Sequence, residues 1–147
     1  MEDRIELFKN VVEELIPFNK LIGIELVEIK EGFAKLRVPF KDELVGNPMV
    51  RALHGGLIAT VMDTAGGAAG MTTLTSFEDR FSTIDIRIDY LRPGKEQDLI
   101  VEGKITRSGN RIVATSMIAY HPGEKENLIA EGKAVYNVKR FKSNEKN

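Results

Sequence analysis

An α+β fold, with an antiparallel sheet of about six strands curled around one long buried helix, is predicted by three observations. From Leu57 to Met71 the only charged side chain is Asp63, and a run of that length fits one apolar helix of about four turns. Downstream, four segments rich in β-branched residues alternate apolar and polar positions and are separated by short turns, which makes antiparallel neighbours. Upstream, two further strands meet at Glu31-Gly32.

In chain order, Ile5, Phe8, Val12 and Leu15 mark the stripe of an amphipathic helix over residues 3–16, with Asp3 and Glu6 as a capping box and Pro17 closing it. Residues 24–30 and 33–39 form a hairpin; in the second strand Ala34, Leu36 and Val38 face opposite to Lys35 and Arg37. Gly46, Asn47 and Pro48 belong to a loop that leads to the helix at about residues 55–71. In the strand over residues 82–91, Ile84, Ile86, Ile88 and Tyr90 share one face; Thr83 falls with Asp85, Arg87 and Asp89 on the other. Strands over 98–107, 111–120 and 128–139 complete the sheet, and the polar tail over 140–147 frays. No linker or repeat interrupts the 147 residues, which read as one domain. The apolar helix needs cover that one sheet does not supply on its far side, so self-association is expected.

Composition narrows the function. A formal net charge of −1 gives no footprint for nucleic acid or an anionic membrane. The absence of cysteine removes disulfides, thiol nucleophiles and thiolate metal sites. The apolar run is too short and interrupted to span a bilayer, and the charged N-terminal stretch is no secretory signal, so a cytoplasmic address is the default expectation.

The chemistry-bearing stretch runs from Asn47 to Met71. Gly55 and Gly56 open the helix, where amide N–H groups lack partners and the macrodipole is positive. Such a start suits a carbonyl oxygen becoming an oxyanion, although a glycine pair also serves simply to turn the chain. Asp63 lies on the same helix face as Gly56, two turns on, about 10 Å away at 1.5 Å per residue. It is either an acceptor for a neighbouring strand or a general base or nucleophile. His54 alone is more often a packing residue, and His121 is too distant in sequence to form a two-histidine metal pattern with it. Gly66, Gly67 and Gly70 weaken the helix and must gain close packing or leave room for a ligand; close packing is the favoured alternative.

Asn47, the His-Gly-Gly at 54–56 and Asp63, followed by STIDIRIDYLRPG at 82–94, resemble the hotdog-fold acyl-CoA thioesterases, nearest the phenylacetate-degradation type. The resemblance covers roughly residues 18–139. It implies a homodimer, often paired again into a dimer of dimers, with the active site between subunits. The Gly55 N–H, or that of Gly56 beside it, would polarise the thioester carbonyl, and Asp63 of the facing subunit would activate water or attack directly. Asn47 and His54 would orient the thioester and the helix-start loop, and Thr83 stands where relatives position water. Arg92, Arg107 and Arg111, at or near turns, are candidates for the CoA phosphates. CoA is then part of the substrate, and no separate cofactor or metal is implied. The rival reading is a non-catalytic acyl-CoA-binding module; a hotdog hydratase is disfavoured because its His and acid arrangement differs.

Overall fold

The computed structural model describes residues 2–142. Helix α1 spans Glu2–Asn10, a π-helical turn Val11–Leu15 follows, and α2 spans Pro17–Ile22. The expected single helix over 3–16 is therefore followed by a second one. Ile16 is driven into an extended conformation (φ −90°, ψ 106°), as a residue preceding proline prefers, so Pro17 does end the first helix. The same ring then starts α2, where its missing N–H costs nothing. Gly23, at φ 88°, ends α2 in the left-handed region.

Strands β1 (Glu25–Lys30) and β2 (Phe33–Val38) make the expected hairpin. The loop ahead of the long helix folds into a small ladder of its own, β3 (Val45–Asn47) against β4 (Ala52–Leu53). Helix α3 spans Gly55–Met71, and β5 (Arg80–Tyr90), β6 (Leu99–Ser108), β7 (Ile112–Tyr120) and β8 (Ala130–Lys139) follow. The six-stranded sheet has the order β1-β2-β6-β7-β8-β5, with every neighbouring pair antiparallel. The predicted α+β architecture is the one observed.

The sheet packs against one side of α3. Leu57, Ile58, Val61, Met62, Ala65, Ala68 and Ala69 are buried against Leu36, Val101, Met117, Ala134 and Tyr136. At β6 backbone meets backbone: a Cβ added to Gly103 would lie 2.5 Å from the Ala65 carbonyl oxygen. Gly66 and Gly70 pack likewise against Tyr136 and Phe81, so close packing explains them. The expectation of a fully buried helix needs correction. Gly56, Thr60, Asp63, Thr64, Gly67 and Met71 form a row at helical spacing that stays partly open in the single chain. Asp63 is half-buried, not buried.

The strict alternation predicted for β5 also fails. Its register with β8 shifts between Thr83 and Asp85, so Ile84 is an extra, bulged residue and is 55% exposed. Phe81, Ile86 and Ile88 pack against the core, and the bulge moves Thr83 from the charged face to the side that faces α3.

The connection from α3 to β5 is pinned by Asp79. Its carboxylate accepts the Phe141 N–H at 2.8 Å, the Thr75 and Ser76 N–H groups at 3.1 and 3.2 Å, and Arg140 at 3.3 Å. These partners, the Phe141 amide first among them, hold its pKa down at about 2. Arg140 and Phe141 are thus anchored; the rest of the tail expected to fray, residues 143–147, lies outside the described residues. Among the described residues no helix is long and apolar enough to cross a membrane.

Because backbone faces backbone at Gly103, Gly103→Ala should lower stability by about 1–3 kcal/mol, the usual cost of overpacking, read from denaturant unfolding.

Candidate active site

The helix row that remains open carries the only carboxylate on α3. One oxygen of Asp63, Oδ1, accepts the Thr83 hydroxyl at 2.9 Å. The Tyr136 hydroxyl lies 2.8 Å from the Asp63 carbonyl oxygen and 3.2 Å from Oδ1, so its single proton is shared between the residue's main chain and side chain. Tyr136 is 2% exposed and stacks on Phe81 with ring centroids 4.9 Å apart. Burial first, then the negative charge of Asp63, pushes its pKa well above the ordinary phenol range, so it stays a neutral donor. Among the described residues nothing bonds to Oδ2 of Asp63.

Two strand positions opposite each other in the β5–β8 ladder, Thr83 and Tyr136, therefore hold one helix carboxylate from the same side. Thr83 was picked out from the sequence; Tyr136 was not. A tyrosine at an inward strand position reads as core, and only its hydroxyl shows otherwise.

At the start of α3, His54 is the N-cap. Its Nδ1 accepts the Gly56 N–H at 2.8 Å. The ring occupies the space a side chain at 56 would need, since a Cβ there would lie 2.9 Å from the imidazole. Leu57 and Ile58 donate to the His54 carbonyl. The Gly55 N–H is thereby left as the first-turn amide without an acceptor among the described residues, while its carbonyl accepts the Tyr90 hydroxyl at 2.7 Å.

The remaining candidates are dispersed. Asn47 is exposed, and its side chain closes its own turn by accepting from Met49 and Val50 N–H at 3.0 and 3.4 Å. Arg92 holds the Leu128 carbonyl at 2.9 Å and Asn127 at 3.3 Å. Arg107 and Arg111 are exposed on either side of the β6–β7 turn. His121 is a buried brace, accepting the Lys95 N–H at 2.8 Å and facing the Asp98 carbonyl at 2.9 Å.

A family model described as the thioesterase superfamily matches residues 51–126, which hold both the helix start and Asp63. The chain belongs to the thioesterase superfamily. It is 34% identical to proteins of Salmonella typhimurium and Escherichia coli named medium/long-chain acyl-CoA thioesterase YigI, over 82% of this chain and 84% of theirs. A Shewanella oneidensis crystal structure related to the thioesterase superfamily superimposes with a TM-score of 0.80 at 28% identity, covering 94% of this chain and 97% of that one. A thioesterase family protein from Silicibacter pomeroyi, at 20% identity, shares the fold with a TM-score of 0.79 over 91% and 99%. The sheet and central helix are the hotdog fold of this superfamily.

Within this thioesterase fold, Tyr136→Phe should leave the architecture intact and cost about 1–3 kcal/mol, because the half-buried Asp63 carbonyl and carboxylate both lose the Tyr136 hydroxyl. The raised Tyr136 pKa also has a consequence for pH. Its contribution is complete below the unfolded phenol value of about 10 and is lost as pH rises above it toward the folded value. Alkaline denaturation should accordingly show a shallower fall in stability for Tyr136→Phe than for the wild type.

Proposed function

We propose that the protein hydrolyses acyl-CoA thioesters to a carboxylic acid and CoA. The observation that carries this reading is the Asp63 carboxylate, fixed through Oδ1 by Thr83 and Tyr136 with Oδ2 uncommitted on the open face of α3. Oδ2 takes a proton from water as the water oxygen bonds to the thioester carbon, or attacks that carbon itself. The carbonyl oxygen takes the developing charge and accepts the Gly55 N–H, with His54 keeping the loop in shape. The C–S bond then breaks, and the thiolate of CoA leaves and is protonated; where Asp63 itself has attacked, water then cleaves the mixed anhydride, freeing the acid and restoring the carboxylate.

Asp63 and Gly55 of one chain are eight residues apart along the helix, about 12 Å, too far to serve one carbonyl. A homodimer removes the difficulty. Strand β5 is an eleven-residue edge strand with Ile84 and Tyr90 exposed, a ready template for pairing. Antiparallel pairing of β5 with its copy sets the Tyr90 end of one strand beside the Arg80–Thr83 end of the other. Since Tyr90 holds Gly55 and Thr83 holds Asp63, each site then draws its oxyanion donor from one subunit and its carboxylate from the other.

The name of the YigI relatives supports a medium or long acyl group here as well. So does a mainly apolar groove of about 770 Å³ between α1 and the end of α3, lined by Leu7, Phe8, Val11, Met71, Leu74 and Phe77 among others. Met71 lies on the helix row of Asp63, two turns beyond it.

Asp63→Asn should fold normally and lose at least about 10²-fold in kcat/KM on a panel of short, medium and long acyl-CoAs. Activity near that of the wild type across the panel would remove Asp63 from the mechanism. A charge at the edge, Ile84→Lys, should yield inactive monomers by sedimentation; an active monomer would end the shared-site arrangement.

A further inference from the structure

Three glycines, Gly66, Gly67 and Gly70, interrupt α3 after Asp63, and packing accounts for two of them. A Cβ on Gly66 would lie 2.5 Å from the Tyr136 hydroxyl and 2.8 Å from Thr115 Oγ1, and one on Gly70 would run into the Phe81 ring. Gly67 is different. A Cβ there would meet only Tyr136 Cε1 among the described residues, at 3.7 Å, an ordinary van der Waals contact. Nor does the backbone demand glycine, since the positive-φ glycines are Gly23, Gly32 and Gly123, and Gly67 lies inside a regular helix. Glycine in a helix interior is destabilising relative to alanine. Within the chain, no contact at Gly67 offsets that loss.

What lies on either side of Gly67 gives it a use. It stands on the open row of α3, one turn after Asp63 and one turn before Met71, about 6 Å from each along the axis at 1.5 Å per residue. Met71 is itself a wall of the apolar groove between α1 and the end of α3. Thr64, beside this path, turns its hydroxyl back onto the Thr60 carbonyl at 2.9 Å, so its polar atom is spent within the helix. From the carboxylate to the groove, the open face therefore has a gap in its side chains at Gly67.

We propose that Gly67 is a specificity-determining residue: an acyl chain whose thioester lies at Asp63 crosses α3 over Gly67 and enters the groove at Met71. The proposal rests on the thioesterase reading for the identity of the chain. A butyryl group ends short of Gly67, whereas a dodecanoyl chain passes it, so the position discriminates by length. A side chain at 67 leaves the helix in place and stands in the path. A partner subunit resting on Gly67 would also keep it bare, but a side chain there would then harm assembly whatever the acyl group.

The test sets Gly67→Ala and Gly67→Leu against the wild type on butyryl-, hexanoyl- and dodecanoyl-CoA. Gly67→Ala should raise the midpoint of denaturant unfolding, whereas Gly66→Ala should lower it. The ratio of kcat/KM for dodecanoyl-CoA to that for butyryl-CoA should fall about tenfold in Gly67→Ala and further in Gly67→Leu, because a single methylene in an apolar passage discriminates by about that much. Sedimentation should give the variants the mass of the wild type. An unchanged ratio, an equal loss on every ester, or a Gly67→Ala protein that is less stable or dissociates would overturn the proposal while leaving hydrolysis at Asp63 standing. If the wild-type protein hydrolysed none of the esters, the thioesterase reading would fall, and calorimetry with dodecanoate would still decide the path. Weaker binding to Gly67→Leu than to the wild type would uphold it, and equal or absent binding would overturn it.

Discussion

The distance between α3 and the sheet is the constraint on which the site depends. It is set where the Ala65 carbonyl rests on β6, close enough that Gly103 has no room for a side chain. At the next residue, Gly66 lets the Tyr136 hydroxyl approach the helix, and that hydroxyl reaches both the carbonyl and the carboxylate of Asp63. Larger residues along this line would raise the helix off the strands, and the bonds at 2.8–2.9 Å from Tyr136 and Thr83 would be the first lost. The small residues of α3, unfavourable to a helix by themselves, thus place a polar group among apolar ones without leaving it unsatisfied.

Much of this was legible in the sequence, and what was missed was missed for identifiable reasons. Helix α3 showed itself by composition, and its limits at 55 and 71 agree with the pattern, because His54 and the glycine pair are local signals. The long strands were equally plain, since alternation survives in β2, β7 and most of β8. The bulge in β5 was hidden because Ile84, Ile86 and Ile88 make an unbroken alternating pattern in sequence. The structure spends Ile84 as the extra residue, and that single offset carries Thr83 to Asp63. The second helix at Pro17 was missed because one proline both stops and starts a helix. The roles of Asn47 and Arg92 as turn and loop fasteners depend on partners no pattern specifies.

Helix α3 divides its duties by face. Its inward rows of Leu57, Ile58, Val61, Met62, Ala65 and Ala69 hold the core together. The outward row carries Gly56, Thr60, Asp63 and Gly67, residues that contribute little to burial and are therefore free to be chosen for chemistry. The helix start is organised in the same way: the His54 ring occupies the Gly56 amide, and one neighbouring amide stays available. Burial and the open carboxylate are supplied by different residues on one element, joined by the close packing that brings Tyr136 to Asp63.

The strand order also sets a schedule. Strand β5 leaves the ribosome before β6, β7 and β8, yet within the chain it pairs only with β8, the last strand to be made. Thr83 must wait for Tyr136, 53 residues downstream, before either can grip Asp63. The meander of β6, β7 and β8 closes through near neighbours, whereas β5 must wait for β8 and gains its strand partner last. A nascent chain can therefore carry every residue of α3 and hold no organised carboxylate. The grip on Asp63 forms only when synthesis has passed β8, at the moment β5 takes its place at the edge of the sheet.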